Sequence, residues 1–255
     1  MILKESKKDN LKYYVFDNRA NAGIFAAQDI AEAILKCLEK KDEINMIFAA
    51  APSQNDTLGA LLERKDIPWN KINAFHMDEY IGLPDGAPQS FGFFLKNAIF
   101  DKVPFKSVNY INGNAADIEE ECARYSKLLT DYPADIVCLG IGENGHIAFN
   151  DPGVADFNDK ELIKTAPLDV VCRQQQVNDG CFATFDDVPT KALTLTIPAL
   201  FKADYLFCTV PAQTKRWAVT ETINGEISED CPATIMRNHK HAVLYCDSQS
   251  GAEVL

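Results

Sequence analysis

One stretch restricts the fold of this chain more than any other: Ile44 to Ala51, INMIFAAA, in which Asn45 is the only polar side chain. A strand with one wet face alternates apolar and polar residues, whereas an unbroken apolar run signals burial on both faces. Such a strand belongs in a parallel sheet with helices above and below it. The run stops at Pro52-Ser53-Gln54-Asn55-Asp56 and leads into a helical segment near 57–64.

The rest of the chain repeats this alternation. Tyr13–Phe16, Ile72–Met77, Val108–Ile111, Ala134–Leu139, Lys191–Thr196, Tyr205–Val210 and Ala242–Cys246 read as strands. Residues 20–40 have helical spacing, with Ile24, Ala27, Ala31, Ile34, Leu35 and Leu38 on one face. Further helices are expected at 89–99, 116–129 and 213–224. No repeat or low-complexity linker divides the chain. The expected fold is α/β: a three-layer α/β/α sandwich on a mostly parallel, modified Rossmann-like sheet, as a single domain over 1–255.

Composition narrows the partners. Hydrophobic residues are 47% and charged residues 24% of the chain, enough for a large core and incompatible with disorder. The net charge of -12 repels phosphate backbones and anionic lipid, so neither nucleic acid nor a membrane is expected as a partner. No apolar run approaches the roughly 20 residues of a membrane span. The start, MILKESKKDNLKYY, lacks the apolar segment of a signal peptide. Eight scattered cysteines without a CxxC pair read as buried, reduced thiols of a cytoplasmic protein, and their spacing does not suit zinc.

In a parallel sheet the chemistry collects at the carboxyl ends of the strands. Three post-strand segments carry suitable residues. Ser53, Gln54 and Asn55 offer donors beside a helix N-terminus, where an anion such as phosphate is held; Asn55 or Asp56 acting only as a helix cap is the structural alternative. Asp78 and Glu79 follow the strand 72–77 next to Tyr80, as a general base would or as a solvated acidic turn would. The third segment, GIGENGHIAFNDPG at 140–153, contains G-x-G-x-x-G after a strand. It runs quickly into Pro152 and Gly153 rather than a long helix, so glycines such as Gly142 read as letting the backbone approach a small ligand. His146 and Asp151 are five apart, so a turn brings the carboxylate to the imidazole and makes a poised proton shuttle.

MDEYIGLP at 77–84 together with GIGENGHIAFNDPG resembles the glucosamine-6-phosphate deaminase/isomerase family. INGNAADIEEECARY at 111–125 and a Lys opening a helix at Lys215 support the resemblance, which extends from about residue 20 to 246. The related 6-phosphogluconolactonases share the glycine motif and His but are not expected to carry MDEY or HIAFN. The resemblance implies an aldose–ketose isomerisation coupled to loss of ammonia in amino-sugar metabolism, with no metal or nucleotide cofactor. By position, the ring-opening His falls on His146 and the C2-to-C1 proton carrier on Asp78. Asp151, where many relatives have Glu, orients the His. Asn144 occupies a position that is Asp in some members and Asn in others, and fixes the His or the substrate. Glu79 and Gly142 belong to the implied substrate site. Arg173 and Lys215 are the implied phosphate cations, and residues 154–187 the implied lid.

The chain departs from the family at the phosphate loop. Relatives have a Thr/Ser-Gly-Gly/Ser-Thr-Pro type sequence, whereas this chain has Ser53-Gln54-Asn55-Asp56-Thr57, with larger side chains and an added negative charge. The expected substrate is glucosamine 6-phosphate, with its C4 epimer galactosamine 6-phosphate as the alternative. A sugar-phosphate sensor, a lactone hydrolase and a nucleotide-dependent dehydrogenase are the competing classes. A homo-oligomer is compatible with the family, whose members occur as monomers and hexamers.

Overall fold

In the computed structural model, which describes residues 1–255, the chain starts with the strands β1 (Ile2–Lys8) and β2 (Leu11–Phe16) and enters α1 (Arg19–Leu38). β3 (Ile44–Phe48) and α2 (Asn55–Glu63) follow, then β4 (Ile72–His76), the short β5 (Asp78–Tyr80), α3 (Phe91–Leu95) and β6 (Ser107–Asn109). Next come α4 (Ile118–Asp131), β7 (Ile136–Leu139), β8 (Ile163–Pro167) and α5 (Val170–Asn178). β9 (Lys191–Leu195), α6 (Ile197–Phe201), β10 (Tyr205–Val210), α7 (Arg216–Asn224) and β11 (Ala242–Asp247) complete the chain. The elements that periodicity missed are β1, β5, β8, α5 and α6, which are short or exposed on one side.

Eight strands form one sheet in the order β1-β2-β11-β10-β7-β3-β4-β6. β1 pairs antiparallel with β2, and every other pairing is parallel. From β3 the sheet grows to β4 on one side, while β7 is inserted on the other. Where the winding reverses, the loops after the strands part and leave a crevice.

The sheet separates two apolar cores. In β3, Ile44, Met46 and Phe48 belong to one and Ile47 to the other. In β10, Phe207 joins the first core, while Leu206, Cys208 and Val210 join the second. Successive side chains of a strand point to opposite faces, so a strand between two cores must be apolar throughout. α1, α2 and α3 cover the first core, and α4, α6 and α7 the second.

Two expectations are corrected here. On α1, Ala27, Ala31 and Ile34 are buried as expected, but Ile24 and Leu35 are exposed. The true stripe includes Ala22, Ala26, Ile30, Ala33 and Cys37, whose mostly small side chains let the helix lie close to its neighbours. At Gly23 the approach is so close that an added Cβ would stand 2.6 Å from Cβ of Asp56 in α2. The strand 191–195 does not join the parallel sheet. It forms an antiparallel three-stranded sheet, β5-β9-β8, with Asp78 opposite Thr194. An apolar run reveals burial but not the direction of the partner strand. No helix is long and apolar enough to cross a membrane, and all eight cysteines are free thiols.

Candidate active site

Four neighbouring strands, β10, β7, β3 and β4, release the chain into one cleft. Its wall is built from residues 49–54 after β3, Met77 and Asp78 after β4, Gly140–Gly142 after β7, and Pro211, Ala212, Thr214 and Lys215 after β10. His146, Ala148 and Phe149 come from the glycine turn, Arg19 from the start of α1, and Gln175 and Gln176 from α5. The cleft has a volume of about 130 Å³, and a neighbouring hollow of about 340 Å³ shares Gln175, Gln176 and Asp179 with it.

Asp78 sits where the small sheet meets the large one. Its Oδ1 is buried with no hydrogen-bond partner. Burial pushes its carboxyl well above the usual carboxylate range, and the neighbouring Glu79 charge adds to the shift. His76 anchors the backbone beneath it. The Ile111 N–H donates to His76 Nε2 at 2.9 Å. An amide can only donate, so the ring proton lies on Nδ1, which donates to the Asp78 carbonyl at 2.9 Å. Burial lowers the His76 pKa to about 4.

His146 lines the same cleft, and Gly142 leaves room for its ring. A Cβ at Gly142 would lie 2.1–2.3 Å from three atoms of the imidazole. The glycine therefore serves close approach, as expected, but the group it admits is the His146 ring. Gly145 at φ +84 would drive a Cβ to 2.4 Å from Sγ of Cys231, so only glycine suits both its backbone and its space. His146 Nδ1 lies 2.8 Å from Asp151 Oδ1, but Nδ1 has no partner with hydrogen-bond alignment. The contact is a close electrostatic one, made directly despite the shorter Asp side chain. Asn144 steadies it: its Nδ2 donates to Asp151 Oδ1 at 2.9 Å and its Oδ1 accepts the His146 N–H at 3.1 Å. Burial would raise the Asp151 carboxyl, but His146 and Asn144 outweigh it and hold the group below the ordinary range. Asn144 acts through these partners and does not line the cleft.

The cleft also holds two cations. Lys215 is buried there, and desolvation lowers its pKa against the opposing influence of Asp179 and Glu143. Arg19, which the sequence reading did not single out, lines the same cleft. Its Nε donates to Asp56 at 2.5 Å and one terminal nitrogen to the Pro52 carbonyl at 2.9 Å. Asp56 is thus neutralised rather than left facing a ligand, and neither it nor Asn55 caps α2. Inspecting the residues after β2 as well as those after β3, β4 and β7 would have found Arg19.

The other expected ligands divide. Ser53 and Gln54 line the cleft, although the Gln54 amide also donates to Thr209 O at 3.2 Å and Ser53 Oγ at 3.1 Å. Asn55 is exposed and lies outside the cleft. Glu79 is likewise outside: its carboxylate accepts the backbone N–H groups of Tyr80, Phe91 and Gly92, which ties β5 to α3. Arg173 does not line the cleft. Its guanidinium donates to the carbonyls of Phe185 and Val188 at 2.9 Å each and lies 4.0 Å over the Phe185 ring. Both bonds come from one terminal nitrogen and hold the chain after α5, while Nε is buried without a partner.

Known proteins resemble the chain over most of its length. The profile of the family described as glucosamine-6-phosphate isomerases/6-phosphogluconolactonase matches residues 17–245. The glucosamine-6-phosphate deaminase of Listeria welshimeri is 34% identical over 211 residues, 82% of this chain and 88% of its own. The Bacillus cereus enzyme of the same name is 34% identical over 226 residues, 88% of this chain and 84% of its own. A solved monomeric glucosamine-6-phosphate deaminase superposes with a TM-score of 0.85 at 27% identity, covering 95% of this chain and 99% of that one. The 6-phosphogluconolactonase of Thermotoga maritima shares the fold, with a TM-score of 0.74 at 22% identity over 93% of this chain and 99% of its own.

Proposed function

The chain belongs to the glucosamine-6-phosphate isomerase/6-phosphogluconolactonase family, and from that premise we propose that its cleft converts glucosamine 6-phosphate and water into fructose 6-phosphate and ammonia. The observation that carries this reading is the convergence, in one cleft, of an unpartnered buried carboxyl, an imidazole backed by a carboxylate, and two cations.

The sugar lies with its phosphate toward Lys215 and Arg19, and with C1 and C2 toward Asp78 and His146. The phosphate meets the N-terminal end of α2, where backbone N–H groups and the helix dipole favour an anion. His146 gives a proton to the ring oxygen and opens the pyranose. Asp151 supports the imidazolium that exists before that transfer. Asp78 then takes the proton from C2 and returns it to C1 by way of an enolamine. The resulting imine at C2 adds water and expels ammonia, leaving the ketose. All of this is proton transfer and hydrolysis, so the chain's own groups balance the reaction.

Asp78 must lose its proton before it can accept one. The amino group at C2 of the substrate is cationic, and its arrival beside Asp78 favours the carboxylate. The segment 154–187 completes the proposal as the cover, a reading supported by Gln175 and Gln176 of α5, which line the cleft. The test is ammonia release from glucosamine 6-phosphate and galactosamine 6-phosphate side by side. Release from the first, several-fold faster than from the second, supports the assignment, and release from neither overturns it.

A further inference from the structure

Behind the cleft wall, His146 and Asp151 share their surroundings with the thiol of Cys172 on α5. A ring nitrogen of His146, a carboxylate oxygen of Asp151 and Sγ of Cys172 all lie within 4.8 Å of one another. The three residues are buried, Asp151 and Cys172 completely. Two of their atoms lack hydrogen-bond partners, Nδ1 of His146 and Oδ2 of Asp151. Buried polar atoms are normally paired, and leaving them unpaired is costly. A cation between them would satisfy both. Imidazole nitrogen, carboxylate oxygen and thiolate sulfur together are the donor set of borderline-soft divalent ions, Zn²⁺ above all.

We propose that His146, Asp151 and Cys172 form an inhibitory site for Zn²⁺, reached from the substrate cleft. Bonds of about 2.0 Å to N and O and about 2.3 Å to S space such donors about 3.3–3.5 Å apart. The 2.8 Å between His146 and Asp151 and the 4.8 Å limit of the trio bracket that spacing, so side-chain rotation supplies the adjustment. As the Zn–S bond forms, the Cys172 thiol releases its proton to solvent, and nothing is oxidised or reduced. The fourth position is left for water. The consequence rests on the role proposed for His146: an imidazole and a carboxylate held by the ion can no longer open the sugar ring.

The experiment uses the full chain, stripped with a chelator and titrated with Zn²⁺ alone by calorimetry and with Co²⁺ by absorbance. One equivalent should bind, Co²⁺ should show thiolate-to-metal charge transfer, and ammonia release should fall in step with Zn²⁺ occupancy. Cys172→Ala should keep the metal-free rate and lose the charge-transfer band. Its Zn²⁺ affinity should drop by more than the about 10- to 100-fold that loss of an outer-sphere partner costs. Cys172→Ser, closer in volume, replaces it if the alanine variant does not fold. Absence of stoichiometric binding, a Co²⁺ spectrum without thiolate absorption, or unchanged Zn²⁺ inhibition in the Cys172 variant would each overturn the site. Binding through Cys172 by a chain that releases no ammonia even without metal would keep the site and remove the proposed reaction instead.

Discussion

A methyl group placed on the α-carbon of Gly142 would stand 2.1 Å from Cε1 of His146. No real Cβ tolerates such a contact, so the absence of a side chain at 142 is what sets the imidazole's position. Gly142 does not have the left-handed backbone of Gly145, so alanine there strains the site without straining the loop. Gly142→Ala should therefore push the ring aside and lower kcat by about 100-fold, the usual effect of misplacing a reacting group by an ångström. The melting temperature should change little. Wild-type kcat in this variant would show that His146 need not occupy its present position.

The cations can be separated by their effect on KM. On the phosphate role proposed for them, Arg19→Ala and Lys215→Ala would each remove a charge-assisted hydrogen bond, which is expected to raise KM roughly 10- to 100-fold. Arg173→Ala should leave KM alone, because that guanidinium is engaged with the Phe185 and Val188 carbonyls. It should instead lower the melting temperature as those carbonyls and the Phe185 ring lose their partner. A rise in KM for Arg173→Ala with no change for Arg19→Ala would restore the phosphate role to Arg173.

That reversal between two arginines illustrates what the sequence makes legible. Burial on both faces is written in INMIFAAA, and the alternation of such runs with helices is enough for a parallel α/β sandwich. Asp78 and His146 were legible because each follows a strand of that sheet, whereas Lys215 was legible only through the family resemblance. Side-chain direction was not legible. Glu79 looks as reactive as Asp78 in one dimension, yet one carboxylate faces the cleft and the other is held by three backbone amides. Arg19 lies far from every motif along the chain. It reaches the site because small residues on α1, Gly23 among them, let that helix press against α2.

His76 predicts an acid-sensitive contribution to stability. Burial keeps it neutral in the folded chain down to about pH 4, against an ordinary value of 6.5. Between those values the unfolded chain binds more protons than the folded one, so this group's contribution is present above pH 6.5 and is lost as pH falls toward 4. The span amounts to on the order of 3 kcal/mol. Asp78 works with the opposite sign in part of this range, so the quantity to measure is a difference. The gap in urea midpoint between wild type and His76→Gln should shrink steadily from pH 6.5 to 4.5. A constant gap would mean that His76 does not titrate on unfolding.

Asp78→Asn should separate catalysis from stability. Loss of a general base typically slows turnover by about 10² to 10⁴, and ammonia release should fall accordingly. Stability should move the other way. The folded-state pKa of Asp78 is raised by burial and by Glu79, so above the ordinary carboxylate value near 3.9 the folded chain binds more protons than the unfolded one. Stability contributed by Asp78 is then lost as pH rises through that window. Asparagine stays neutral at every pH and escapes the loss. The variant should therefore melt above wild type at pH 7, with a margin that vanishes near pH 4. On the role proposed for Asp78, which requires the carboxylate, the same shift places the acid limb of wild-type kcat/KM above the range of an unperturbed carboxylate. Full ammonia release by Asp78→Asn would remove it as the C2 base. A melting temperature below wild type at pH 7 would show that its buried carboxyl stabilises the fold through a partner that asparagine cannot replace.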